Sequence, residues 1–332
     1  MSQVNADRIN VGMGVKIPTL TQSQINSRSN QPGDIVYNST EESMQVYNAL
    51  DGVWEFIGSG AELYEFQSVT FTPGGASGRD GPTLSQVRAG ISGNDAWKND
   101  SQFLQVNSGK ISWTIPADGE YQIIAYGAQG GRSNCYGPAG GQGAKMEGTF
   151  SLVGGDQLQL IVGQKGSNQC YDCGGGGASY ICDSSNSALI VAAGGGGGSA
   201  SGMSGPGPHW GRTSNQGGST SWATGGSANN GGGGMTAGGG GGVTGNGGGS
   251  WYGRSFTNGS QGGPGPAPGG FGGGGGGGQT NGAGGGGGYG GGGASYWSFY
   301  GAGGGSYNGG TNPNNQNNAK TNDGSISITK IA

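Results

Sequence analysis

Four cysteines, one histidine and a scatter of single aromatics are the residues of this chain whose types could carry chemistry. Cys135, Cys170, Cys173 and Cys182 include one C-x-x-C pair, Cys170-Tyr171-Asp172-Cys173. Zinc favours such a pair, but the distance from Cys135 and the eight-residue gap to Cys182 fit no paired-knuckle spacing. The first reading is two disulfides closing glycine loops, with Cys135 or Cys182 joined to the C-x-x-C thiols; zinc and free thiols stay open as alternatives. A redox role is not indicated, because no α/β pattern surrounds the pair. His209 sits in Gly207-Pro208-His209-Trp210-Gly211 with no Ser, Cys or Asp motif to serve as a catalytic partner, so it reads as a loop residue. Acidic residues concentrate before Asp183 and form no convincing carboxylate pair. No enzyme, no cofactor and no metal centre is therefore expected. Binding is the chemistry that remains. His209, Trp210, Trp222, Trp251, Tyr252, Tyr296, Trp297, Phe299 and Tyr300 stand on loops, where aromatics offer flat contact area at low entropic cost and can stack on sugars or protein side chains. The competing expectation is that these rings plug a glycine core.

The elements that must position them are read from composition and periodicity. The chain has 332 residues, of which 87 are Gly and 12 Pro, a composition at the edge of disorder. Disordered chains carry high net charge and few aromatics, whereas this one has a net charge of -4 with 7 Trp, 13 Tyr and 8 Phe. Its weak acidity, without a basic face, argues against nucleic acid or anionic lipid as partners. No apolar run is long enough to span a membrane. The first residues lack a basic start followed by an apolar core, so synthesis and retention in a cytosol are expected.

Within residues 1–60, the runs 35–37, 44–47 and 53–57, separated by Asn-Ser-Thr and Leu-Asp-Gly turns, predict a small antiparallel meander. So small a sheet buries little alone, which implies attachment or oligomerisation through this unit. From 61 to about 200, alternating apolar runs at 69–71, 110–115, 121–126, 145–152, 157–162 and 187–193 predict an all-β sandwich, with one short helix at 83–88. A last alternating strand at 324–331 must return to that sandwich, so residues 201–323 read as a glycine-rich insertion rather than a tail.

Collagen is excluded for the insertion, because runs such as 272–278 break its three-residue glycine period and Pro is scarce. Isolated G-x-G-x-x-G matches carry no weight in such a background. Polyglycine can instead adopt the extended three-residue helix of polyproline, with every amide pointing outward to a neighbouring helix. Ordering a residue costs roughly 1–2 kcal/mol while a net hydrogen bond returns about 1 kcal/mol, so glycine alone does not suffice. Phe271, Tyr289, Met235 and Trp251, set between the runs, are expected to cap or line the bundle.

Several stretches carry a family resemblance. FTPGGASGRDGPT at 71–83, WTIPADGEY at 113–121, AYGAQGG at 125–131, LIVGQKG at 160–166, GGGGASY at 174–180 and LIVAAGGGG at 189–197 resemble, in the same order, the glycine-rich extracellular domain of the anaplastic lymphoma kinase and leukocyte tyrosine kinase receptors. That resemblance implies a jelly-roll, tumour-necrosis-factor-like sandwich carrying an inserted bundle of polyglycine II helices. It implies no kinase function here, and no cytokine-contacting motif is matched. PGDIVYNST at 32–40, with MQVYN at 44–48 and GVW at 52–54, resembles a short β unit of bacteriophage tail-fibre and related virion proteins. Together the two resemblances imply a virion tail-fibre or fibre-tip protein, extracellular after release. It would be homotrimeric, attach to other fibre or tail proteins through residues 1–60, and contact a host cell-surface glycan or protein. A purely structural fibre component and a secreted ligand-binding module are the alternatives.

Overall fold

A computed structural model describes residues 17–40, 43–48, 52–57, 62–91, 96–135, 139–199, 209–278, 282–296 and 299–332. The chain divides into two compact units, residues 1–62 and 63–332.

In the first unit, strands β2 (Ile35–Asn38), β3 (Ser43–Asn48) and β4 (Val53–Ile57) form the expected antiparallel meander. Two elements were not anticipated. Strand β1 (Thr19–Leu20) pairs parallel to β2, and helix α1 (Gln22–Asn26) follows it, its first turn closed by a capping box between Thr21 and Gln24. Ile25 of α1 and Val36 of β2 are fully buried, while Ile35 and Tyr37, which point to the opposite face, are exposed. One face of this sheet is therefore covered and the other is apolar and open.

The second unit is a sandwich of two antiparallel sheets. Its strands are β5 (Ser68–Phe71), β6 (Leu104–Asn107), β7 (Lys110–Thr114), β8 (Gly119–Tyr126), β9 (Gly143–Leu152), β10 (Gln157–Ile161), β11 (Ser179–Cys182), β12 (Ala188–Ala192), β13 (Tyr307–Asn308), β14 (Gln316–Lys320) and β15 (Ser325–Lys330). One sheet has the order β13-β12-β11-β10-β7-β6 and the other β14-β9-β8-β15-β5. The carboxyl-terminal strand β15 lies between β8 and β5, so the chain end completes the middle of a sheet, as its alternation required. Inward-facing Phe71, Trp113, Tyr121, Ile123, Met146, Leu160, Ile181, Ile190, Ile326 and Ile328 form the core. The expected short helix is α2 (Leu84–Gly90), with Thr83 as its N-cap and Gln86 completing the capping box.

Glycine segments leave the ends of these strands and pack as rods. Along 284–289 the hydrogen bonds reveal the geometry: Gly284 and Gly287 donate to Cys173 and Gly176, Gly285 and Gly288 to Gly238 and Gly241, and Gly286 and Tyr289 to Ala302 and Gly305. These N–H to O distances are 2.7–3.1 Å. An α-helix would bond within itself, and a strand would send alternate amides to opposite sides. Here three successive amides meet three different neighbours, and each partner advances by three residues per turn. That is the polyglycine II arrangement, with backbone groups satisfied between helices.

The bundle packs on the outer face of the six-stranded sheet. Tyr180, Cys182, Val191 and Ile161 from that face join Phe256, Phe271 and Val243 from the glycine region in a second buried cluster. The Tyr180 hydroxyl donates to the Gly288 carbonyl at 3.0 Å, tying sheet to rod. Phe271 is fully buried, Tyr289 is half-buried and stacks on Tyr307 at 4.7 Å between ring centroids, and Trp251 is half-buried. Met235 does not line the bundle. It is 51% exposed, because its turn, closed by the Met235 amide on the Ala237 carbonyl, leaves the side chain outside the rods.

Candidate recognition surface

The aromatic loops are held by main-chain packing. The Gly196 amide donates to the His209 carbonyl at 2.7 Å, and the Gly211 amide donates to the Gln142 carbonyl at 2.8 Å. A side chain on Gly141 would lie 1.8 Å from the His209 oxygen, and one on Gly303 would lie 1.9 Å from the Trp210 oxygen. Only glycine at these two places permits the approach, so His209 and Trp210 sit on a fixed backbone. A second loop is pinned by Thr220, whose hydroxyl donates to the Ala294 carbonyl at 2.7 Å and accepts from the Trp222 amide at 3.2 Å. Ser295 closes the third, donating to the Phe299 carbonyl and accepting from the Ala283 amide.

These loops bring five of the nine candidate rings together. His209 stacks on Tyr300 with centroids 4.8 Å apart and meets Trp210 edge-on at 5.1 Å. Trp222 packs against Phe299 at 4.6 Å. Because Phe299 and Tyr300 are consecutive, one stretch of chain joins the two groups. Trp222 is exposed, and His209, Trp210, Phe299 and Tyr300 are half-buried, so each ring combines support with open surface. Trp251 and Tyr252 have no ring contact with this group: the Trp251 indole lies against Gly265, leaving Tyr252 exposed. Tyr296 is half-buried, and Trp297 lies outside the described residues.

Burial lowers the His209 pKa below its ordinary value of 6.5 and raises that of Tyr300. Between the lowered value and 6.5 the unfolded chain binds a proton that the folded chain does not, so stability present above this window falls as the pH drops through it. The expected result is a larger loss of melting temperature between about pH 7.5 and about pH 5 in the parent chain than in His209→Phe. Equal losses would contradict it.

Sequence reasoning missed a polar strap beside these rings. In β14 the Asn318 amide reaches the Gly211 carbonyl at 3.5 Å, and Asn317 Oδ1 accepts from the Thr213 amide at 2.6 Å. The run TNPNNQNNAKTND at 311–323 was its signal, an amide density without periodicity. Two clefts, of about 430 Å³ beside Asp80, Ser108 and Gln261 and about 280 Å³ beside Asp156 and Asp183, carry no aromatic lining.

The cysteines depart from the two-disulfide expectation. Cys135 and Cys170 are joined, with Cα atoms 4.7 Å apart, whereas Cys173 and Cys182 are free and buried. The bridge also takes two of the four sulfurs that zinc would need. Cys182 lies in the cluster between sheet and bundle, and the Cys173 thiol donates to the Gln169 and Tyr171 carbonyls, so neither sulfur is directed at the other. Burial pushes the Cys173 thiol up to about 11 and the Cys182 thiol up to about 12. A colorimetric thiol reagent is expected to find no reactive thiol in the folded chain, two after unfolding and four after reduction. Fast labelling of the folded chain would refute this burial.

Fold and surface together define the class: an all-β, jelly-roll-like sandwich carrying a polyglycine II bundle, with aromatic loops fixed on the bundle. The chain is similar to the leukocyte tyrosine kinase receptor of Mus musculus, with 31% identity over 100 residues. The match covers 30% of this chain and 11% of the receptor. No protein-family model matches the chain.

Proposed function

We propose that this chain is a virion tail-fibre or fibre-tip protein that binds a host cell surface through aromatic loops carried on a rigid glycine scaffold. The observation that carries the reading is the grouping of His209, Trp210, Trp222, Phe299 and Tyr300, half open to solvent and clamped by backbone contacts and the Thr220 and Ser295 hydroxyls. Rings prearranged in this way lose little entropy on binding, which is what a recognition surface requires. The chain acts as a binding protein without catalysis. Its first unit resembles a tail-fibre β unit and presents Ile35 and Tyr37 on an open apolar face, which suits attachment or trimerisation. The Cys135–Cys170 bridge suits a protein that works outside a reducing cytosol, after release with the virion.

The similarity to a receptor tyrosine kinase favours a second reading, a secreted ligand-binding module on the same scaffold. Saturable binding of fluorescently labelled chain to host cells tests the first reading. Trp222→Ala and Tyr300→Ala are each expected to weaken it about tenfold or more, with melting shifted by less than about 4 °C. Loss of melting together with binding would assign the rings to packing, and no saturable binding would end the host-recognition reading.

A further inference from the structure

We propose that the ligand of the aromatic surface is a saccharide, gripped between the rings and the amide-bearing strap of β14; this rests on the host-binding reading above. Three observations converge. The rings give flat, partly open faces, His209 with Tyr300 and Trp222 with Phe299, on which the C–H face of a pyranose can stack.

The strap supplies the polar half of the site. Gln316, Asn317 and Asn318 are exposed, and they lie where Asn317 and Asn318 hydrogen-bond the backbone within three residues of Trp210. A carboxamide offers donors and an acceptor side by side, matching the paired donor and acceptor character of neighbouring sugar hydroxyls. Asn317 uses its oxygen on Thr213 and keeps its NH₂ group for a ligand.

The charges nearby are already engaged. Arg212 donates to the Gln216 and Gly217 carbonyls, Lys145 pairs with Glu147, and Lys320 lies 5.4 Å from the centre of the Tyr126 ring. Among the described residues, none of the exposed large aliphatic side chains lies on the segments that carry the rings or the strap. A protein partner would favour free Arg or Met anchors beside the rings. A neutral polyhydroxyl ligand needs neither.

The test uses labelled full-length chain on host cells that are untreated, oxidised with periodate to cleave vicinal diols, or treated with protease. Periodate is expected to remove saturable binding while protease leaves it intact; loss after both treatments indicates a glycoprotein and also supports the proposal. Asn317→Asp, which keeps the acceptor for the Thr213 amide and removes the NH₂ donor, is expected to weaken binding about tenfold with melting shifted by less than about 4 °C. Binding that survives periodate but not protease would overturn the saccharide while leaving host recognition standing. Absence of binding to untreated cells would overturn both.

Discussion

Gly285→Ala lowers the melting temperature of the chain by roughly 6–12 °C, reflecting a loss of about 3 kcal/mol. The added methyl would lie 2.0 Å from the Gly292 carbonyl oxygen and 2.6 Å from its carbon. Those are backbone atoms, and they are fixed by their own bonds to other rods: the Gly292 amide donates to Gly286, and its carbonyl accepts from Gly240. Relief requires the rods to part, which weakens the Gly285 bond to Gly238 and its neighbours along the same turn. Gly233→Ala is the control within the same kind of sequence. Its nearest atom would be 3.2 Å away, and an effect within about 1 kcal/mol is expected there. Thermal unfolding followed by calorimetry distinguishes them, and equal small shifts would show that the bundle is looser than its hydrogen bonds require.

Phe271→Ala is expected to cost about 3–5 kcal/mol. The ring is fully buried, and atoms placed on Gly81 or Gly109 would lie 2.5 and 2.6 Å from its tip, so the ring reaches from the glycine region to the loops before α2 and between β6 and β7. Its amide and carbonyl are bonded to Gly78 and Gln164, so the backbone cannot close over the space left behind. Because this cluster also contains Tyr180, Cys182 and Val191 of the six-stranded sheet, the variant should lower one cooperative transition of sandwich and bundle together. A second, separate transition that moves alone would show that the two melt independently.

The strands were legible where apolar residues alternate. Residues 121–126, 145–152 and 325–330 all fall in strands, because one face of each meets the core and the other meets water or the bundle. Strand β11 was harder to read, since Ser179–Cys182 is buried on both faces and alternation disappears. β6 and β14 are short edge strands whose polar residues answer to partners distant in sequence. The rods were legible as a class, because glycine runs with interspersed aromatics admit few ordered solutions. Which rods touch was not, since glycine has no side chain to record its neighbour. For the same reason the candidate list named the rings of the recognition surface without showing that His209 would stack on Tyr300 or that Trp222 would meet Phe299. Those pairings are made by turns 74 or more residues apart in sequence, which no local pattern encodes.

The triplet pairing of the rods has a consequence for how such a protein can change over generations. Main-chain atoms do the matching, so three residues inserted within or removed from a rod leave the amides beyond the change facing the same neighbouring rods, one turn along, whereas a change of one or two turns them toward different rods. Between rods no such arithmetic applies, and a loop can exchange its residues or its length while the rods beneath keep their pairing. The chain thus combines positions that admit almost no substitution with loops open to rapid replacement, and a lineage could acquire new contact specificities without rebuilding its framework.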